Sequence, residues 1–435
     1  MAQRALRENT VPAGGATIPQ VGGVAAGGML LPDTIQAQEL ADLFFENSEQ
    51  NYLQLNNVAL VPGRQSQFQL QNVGLGEGLE LMITGTFGLR NTTGGSVTVD
   101  VAPEFPFNII QNLQIMFNGK VALANLSGYE LLRIMLKRRF INGSYSSFNA
   151  GLGALTENFR LDRRLANVVV TGGTPVAGEG LTGLGGITIA AAATATVTFE
   201  MYLDYSFLLR KDLPFGLVPM QHNAIYANVT LAIANLIGTT WDFPFRTAAA
   251  VVVTDTAPVL AINCLPTYNF WGLPRDPNLY QFFVNNSYVL TSLPRNPIAS
   301  IGARAIAFDF PLNYWLISMM LTIRQSGEQL INARNLIDNG TLVYNGTIHV
   351  DRSDRRTRVA REMLQTGRQL PFGTVMYDGA LTNNLEGNSL NMSRWLNMYQ
   401  ANNPTYFADV LAGFTVPGVY DVLLEQLIPN YVTVI

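Results

Sequence analysis

Leu79-Glu80-Leu81-Met82-Ile83-Thr84-Gly85-Thr86-Phe87-Gly88-Leu89-Arg90 puts apolar side chains at 79, 81, 83, 87 and 89, with Glu80, Thr84, Thr86 and Arg90 between them. Successive side chains of a β-strand point to opposite faces, so this two-residue beat is a strand with one packed face and one wet face. The beat recurs at Val97, Val99 and Val101, at Phe105, Phe107, Ile109, Leu113, Ile115 and Phe117, and at Val197, Phe199, Met201, Leu203 and Tyr205. Many such strands, punctuated by Gly, Pro and Asn, indicate antiparallel sheets stacked as sandwiches or barrels.

The chain has 435 residues, more than one hydrophobic core usually serves, which predicts two domains. Charged residues make up 13% against 48% hydrophobic. A surface this neutral suits a chain that covers its flanks with neighbours, and a secreted all-β protein is the other reading. The net charge of −4 gives no electrostatic footprint for wrapping nucleic acid. Of the 27 basic residues, Lys120, Lys137 and Lys211 are the only lysines. Arginine makes planar, bidentate contacts and tolerates partial burial, so an arginine-dominated set fits subunit interfaces.

Residues 1 to about 32 read as an arm rich in Gly, Ala and Pro, with Arg4 and Arg7 near its tip. Such a composition predicts disorder for the arm in isolation. A short helix follows from Asp33 or Thr34 to about Phe45, with Ile35, Leu40, Leu43 and Phe44 at helical spacing. The chain then divides into a first β-domain over 51–240 and a second over 241–435, with a linker near Gly238 to Thr247. In the first, Asn118-Gly119 between alternating segments predicts a hairpin with a type I′ turn. A helical insertion from Gly128 to about Arg139 follows, then a Gly/Ala/Thr-rich excursion from Asn142 to Gly186, then a strand from Ile187 to Tyr205. In the second, Asn339-Gly340 and Asn345-Gly346 predict two turns between short strands. Helices are expected from Arg352 to Gln365 and from Ser389 to Ala401. The apolar run Ala303 to Ile323 contains Asp309, Pro311 and Asn313, and reads as buried strand plus turn rather than a membrane span. No compact apolar stretch near the N-terminus reads as a secretory signal.

Catalytic machinery is hard to assemble from this chain. His222 and His349 are its two histidines and fall in different halves, so neither a metal cluster nor a Ser-His triad has a foundation. Gly178-Glu-Gly180-Leu-Thr-Gly183 matches GxGxxG outside any βαβ context, and reads as a loop. Cys264 is the single cysteine and sits in an apolar run, which predicts a buried small residue. No metal, cofactor or catalytic residue is expected. The one basic cluster, Arg352, Arg355, Arg356, Arg358 and Arg361, is interleaved with Asp351, Asp354 and Glu362, which favours a salt-bridged subunit contact over nucleic acid.

Three stretches resemble a known family. They are Pro106-Phe-Asn-Ile-Ile-Gln-Asn-Leu-Gln-Ile-Met-Phe-Asn-Gly119 with Ser127-Gly128; the run from Ala190 to Tyr205 with Asp212-Leu-Pro-Phe-Gly-Leu-Val-Pro219; and Arg358 to Arg361 leading into Leu370-Pro-Phe-Gly-Thr-Val-Met-Tyr-Asp378. Together with two consecutive sandwiches and helical insertions, they are similar to the double jelly-roll major capsid proteins of tailless, membrane-containing icosahedral phages, an architecture shared with the adenovirus hexon. The resemblance implies an all-β fold of two jelly rolls. It also implies a homotrimeric, six-cornered capsomer tiling a virion shell in the host cytoplasm, alongside minor capsid, penton or cement proteins. The arm and first helix would face inward, where Arg4, Arg7, Ile35, Leu40, Leu43 and Phe44 would meet an inner lipid membrane. The competing readings are a β-sandwich adhesin with an aromatic-lined carbohydrate groove, drawing on Trp241, Trp271, Trp315 or Trp395, and a carbohydrate-active enzyme with a carboxylate pair in a cleft.

Overall fold

The computed structural model describes residues 34–119, 121–138, 165–178, 180–208, 214–221, 226–254, 260–284, 286–330, 336–353, 374–378 and 395–429. Among them four sheets hold two sandwiches together. The strand read first from the sequence, Leu75–Asn91, lies at the centre of an eight-stranded outer sheet. It pairs antiparallel with Thr194–Ser206 on one side and Ala261–Trp271 on the other. Leu79, Leu81, Ile83, Phe87 and Leu89 are all fully buried, while Met82 and Arg90 on the opposite face are exposed. The two-residue beat is therefore a strand with one packed face.

Opposite the outer sheet lie a five-stranded sheet that includes Val97–Val101 and Leu184–Ile189, and one half of a ten-stranded sheet. That half contains the expected hairpin, Ile110–Phe117 and Val121–Leu126. Its turn residues Asn118 and Gly119 have φ of 49° and 64°, the positive values a type I′ turn requires. The ten-stranded sheet does not stop at the first sandwich. Val121–Leu126 pairs in parallel with Asn286–Ile298, Leu290 opposite Ala124, and the sheet runs on through Gly418–Pro429 to Trp315–Gln325. Its far half forms one wall of the second sandwich. The other wall is a four-stranded sheet of Gly302–Asp309, Thr405–Val410, Ile337–Tyr344 and Thr347–Ser353. Between these walls sits a separate apolar core that includes Ile306, Leu321, Ile323, Val422 and Leu424.

Several expectations need correction. The excursion between Asn142 and Gly186 is not all loop: Ala166–Thr171 pairs at the edge of the outer sheet, and Thr174–Ala177 pairs with Leu184–Ile189. Residues 142–164 lie outside the described residues. The strand expected from Ile187 to Tyr205 is two strands, because Ala190 to Ala193 turn the chain from the five-stranded sheet into the outer sheet. Phe105 to Ile109 is a turn and a short 3₁₀ helix rather than strand, with Phe107 and Ile109 still buried. Asn339-Gly340 is no turn. It lies inside Ile337–Tyr344, where the register shifts between Asp338 and Thr341 and Asn339 takes a φ of 49°, which is a bulge. Asn345-Gly346 is the hairpin turn. The expected linker is structured, since Phe245–Arg246 pairs with Val97–Val101 and Phe245 is fully buried. Strands past residue 240 still belong to the outer sheet: Val251–Thr254 and Ala261–Trp271 both pair with Leu75–Asn91. Trp395 to Ala401 of the expected last helix forms turns and a short bridge to Trp315 and Leu316, because Trp395 and Leu396 are drawn into the cores. The rest of that helix, and residues 354–365 of the one before it, lie outside the described residues.

Candidate functional site at the junction between the sandwiches

The far half of the ten-stranded sheet is buried on both faces. Met319, Leu321 and Ile323 point into the second core. Ser318, Met320, Thr322 and Arg324 alternate with them and point back toward the first sandwich, beside Asp421, Leu423 and Glu425 of the neighbouring strand. This second face is mixed rather than apolar: Thr322 and Arg324 are met by groups from the first sandwich, while Glu425 accepts from Ser318 and from the Tyr288 hydroxyl.

Helix Gly128–Arg138 supplies several of them. Its start is a capping box: the Glu130 amide donates to Ser127 Oγ (3.2 Å), and the Ser127 amide donates to Glu130 Oε2 (2.8 Å). The same carboxylate accepts from Ser292 Oγ at 2.9 Å through Oε1, which ties the helix to the Asn286–Ile298 strand. One turn on, Arg133 is fully buried and donates to the Leu321 carbonyl (2.9 Å) and to Thr322 Oγ1. Burial holds its guanidinium below the usual arginine range. Tyr129, beneath it, is pushed well above the ordinary phenol range by burial.

A second link comes from the turn before the 3₁₀ helix. Glu104, 2% exposed, forms an ion pair with Arg324. Asp421 accepts from Arg295 Nε at 3.1 Å and lies 4.0 Å from Arg324 Nε. Burial opposes the Arg324 charge, but the Glu104 and Asp421 carboxylates more than offset this and hold the guanidinium above its usual range. Trp241 adds a third link, its amide donating to the Gly327 carbonyl at 3.0 Å while Arg246 stacks on its indole. These groups border a cleft of about 550 Å³ between the sandwiches. Glu104, Glu130 and Asp421 line it, but each is held by an arginine or a serine, so the cleft is a bolted joint rather than a free carboxylate pair.

The residues singled out from sequence fall elsewhere. Helix Thr34–Asn47 matches the expected first helix. Phe44 is fully buried with its ring edge-on to Trp271 and Phe283, so it belongs to the core and is unavailable to a lipid surface. Leu40 packs partly against the same core, and Leu43 is 45% exposed. Ile35 lies in the first turn of the helix. Arg4 and Arg7 lie outside the described residues. Arg352 lies within the strand Thr347–Ser353, next to its last residue, whereas Arg355, Arg356, Arg358 and Arg361 lie outside the described residues. Gly178 to Gly183 closes a hairpin, with the Gly178 amide donating to the Gly183 carbonyl. Cys264 is fully buried, and burial pushes its thiol up to about 12. His222 lies outside the described residues and His349 within Thr347–Ser353. Among the described residues no helix is long and apolar enough to cross a membrane, and no cluster of three or more metal-ligating side chains occurs. The tryptophans are engaged separately: Trp271 packs on Phe44 and Phe45, Trp315 packs partly against the first core, Trp395 is buried, and Trp241 is stacked by Arg246.

Two sandwiches side by side, one continuous sheet through both and a helix wedged at the joint define the architecture. The fold is a double jelly roll. No protein-family model matches the chain, and no curated protein sequence matches it. Solved structures do. The major capsid protein of Sulfolobus turreted icosahedral virus superimposes with a TM-score of 0.54 at 10% identity, covering 88% of this chain and 98% of that one. The PBCV-1 capsid gives 0.51 at 10% identity over 88% and 94%, and the Faustovirus major capsid protein 0.50 at 8% identity over 88% and 90%. All are double jelly rolls, so the resemblance drawn from sequence extends to the fold along most of the chain.

Proposed function

We propose that this double jelly roll is a major capsid protein, a structural unit that trimerises into six-cornered capsomers and tiles an icosahedral virion shell. The observation that carries this is the joint. Glu104–Arg324, Arg133–Thr322 and the parallel pairing of Leu290 with Ala124 fix two rolls in one orientation. A tile needs that fixed orientation. Three copies of a two-roll chain present six rolls, and six-cornered units cover a closed lattice with one repeating contact. The fold shared with three viral capsid proteins supports the same reading. In this reading the chain performs no reaction, its principal partner is itself, and its place is the virion. The arm ahead of Thr34 and the exposed Leu43 would lie on the inner side, toward a lipid layer where the virion holds one.

Native mass spectrometry of the purified full chain tests the proposal. The expected species is a trimer near 143 kDa, three copies of the 47.6 kDa chain, with hexagonal outlines in negative stain. A protein that stays monomeric up to high micromolar concentration, with no hexagonal particles, overturns it.

A further inference from the structure

The near half of the ten-stranded sheet consists of Gln65–Gln69, Ala227–Ile233, Ile110–Phe117 and Val121–Leu126. One face packs into the first roll through Leu113, Ile115, Val229 and Leu231. The other meets solvent. These four strands contain not one charged residue, although an ordinary soluble domain is about 25% charged. Carboxamides and hydroxyls stand where charges would. The register sets Gln67 opposite Thr230, Thr230 opposite Gln114, Gln114 opposite Asn125, and Asn125 opposite Thr291 of the next strand. Side chains directly opposite one another share a face, so these five form a row across five strands. Four steps of about 4.8 Å make the row about 19 Å long.

The row runs into the cleft between the rolls, whose wall includes Gln111, Asn112 and Asn125 of the same strands. The cleft's volume of about 550 Å³ is that of a small-ligand site. Trp241 lines it, with Arg246 stacked on the indole to hold the ring. Asn108 lines it too, and its Oδ1 and Nδ2 are both buried without a partner. Buried amides are seldom left so. Glu104, Glu130, Asp242 and Asp421 outnumber Arg295 and Arg324 around the cleft, which repels an anionic ligand. Each carboxylate is already engaged, Glu104 by Arg324, Glu130 by Ser127 and Ser292, Asp421 by Arg295 and Asp242 by Thr240, so none is left over to select a cation.

We infer that the cleft and the carboxamide row together bind a neutral glycan. A carboxamide offers two N–H donors and a carbonyl acceptor, and a sugar hydroxyl both donates and accepts, so the two match without charge. The terminal sugar sits in the cleft, where Trp241 offers an apolar ring face to its C–H groups and a hydroxyl can complete Asn108. The following sugars lie along Asn125, Gln114, Thr230 and Gln67. An extended pyranose chain advances by about one strand spacing per unit, so the row suits about four sugars. Met116 is the one large apolar side chain that the register puts on this face within these strands, too little for the apolar centre of a protein–protein contact. The site is also well placed. Phe105, next to Glu104, packs on Phe245 and Phe245 on Phe87, whereas helix Thr34–Asn47 packs on Trp271 beside Leu75, at the other end of the same central strand. The cleft therefore lies at the end of the rolls away from that helix, the outward end in the proposed tile.

A printed array of neutral, sialylated and sulfated oligosaccharides, probed with the fluorescently labelled full chain, tests this. Binding should be confined to neutral glycans and should strengthen from the monosaccharide to the tetrasaccharide. Asn125→Ala, at the cleft, should weaken binding of short and long glycans alike by about fivefold or more, the loss of a hydrogen bond. Gln67→Ala, at the far end of the row, should weaken only the long ones. Both side chains are exposed, so both variants should keep the wild-type far-ultraviolet circular dichroism. An array on which no neutral glycan binds overturns the inference. So does equal binding of sialylated or sulfated glycans, and so does binding that Asn125→Ala and Gln67→Ala leave unchanged. All three leave the capsid proposal standing, because that is read from the trimer and not from the array.

Discussion

Glu104 and Arg324 stand 220 residues apart in the chain and meet as an ion pair buried between the two rolls. The pair joins a turn of the first roll to a central strand of the second. Removing one partner leaves the other charge buried without its counter-charge, which typically costs 3–5 kcal/mol. Glu104→Gln and Arg324→Met should therefore each lower unfolding stability in urea by about 3 kcal/mol or more. A loss below about 1 kcal/mol for both would show that the joint is held by apolar packing alone.

Ser127→Ala removes one half of the capping box that starts the joint helix. The expected cost is about 1 kcal/mol, seen as a shift of the urea midpoint.

Phe44→Ala empties a fully buried site lined by Trp271 and Phe283. A loss of about 3–5 kcal/mol is expected from thermal or chemical unfolding. A near-neutral result would mean that helix Thr34–Asn47 does not hold its docked position in solution.

Cys264 should not react with a thiol reagent at pH 8 until the protein unfolds, because burial pushes its thiol up to about 12. The sign of the linked stability follows. Above the ordinary thiol value of 9.0 the unfolded thiol ionises while the folded one keeps its proton. Its contribution is complete below pH 9 and is lost as the pH rises toward 12. Cys264→Ala should flatten the fall in stability over that window, which urea titrations at pH 8, 9 and 10 would show.

The strands around Leu79 and Met201 were legible because one face is wet, and alternation is visible only where the two faces differ. Trp315–Gln325 is buried on both faces, so it read simply as an apolar run. Asn118-Gly119 and Asn345-Gly346 were readable as turns because their neighbours pair immediately across them. Asn339-Gly340 uses the same positive φ for a bulge, a difference set by the partner strand Thr405–Val410, far away in sequence.

The joint was not read from the sequence, although its signal was present. Arg133 interrupts Leu131-Leu132 and Ile134-Met135, Arg324 follows Leu321-Thr322-Ile323, and Glu425 follows Leu423-Leu424. A charge inside an apolar run is rarely buried without a partner. Each charge marks its own burial, but no local pattern names the partner, because Glu104 and Arg324 are brought together by tertiary pairing alone.

The pairing of Leu290 with Ala124 carries one sheet through both rolls without a break. Bending the molecule at its middle would mean tearing backbone hydrogen bonds as well as the Glu104–Arg324 pair. A shell built from such plates is stiff within each plate. In the proposed shell, curvature has to be taken up at the seams between plates, where side chains can slide, so mutations that soften or stiffen such a shell should map to the rims of the plate.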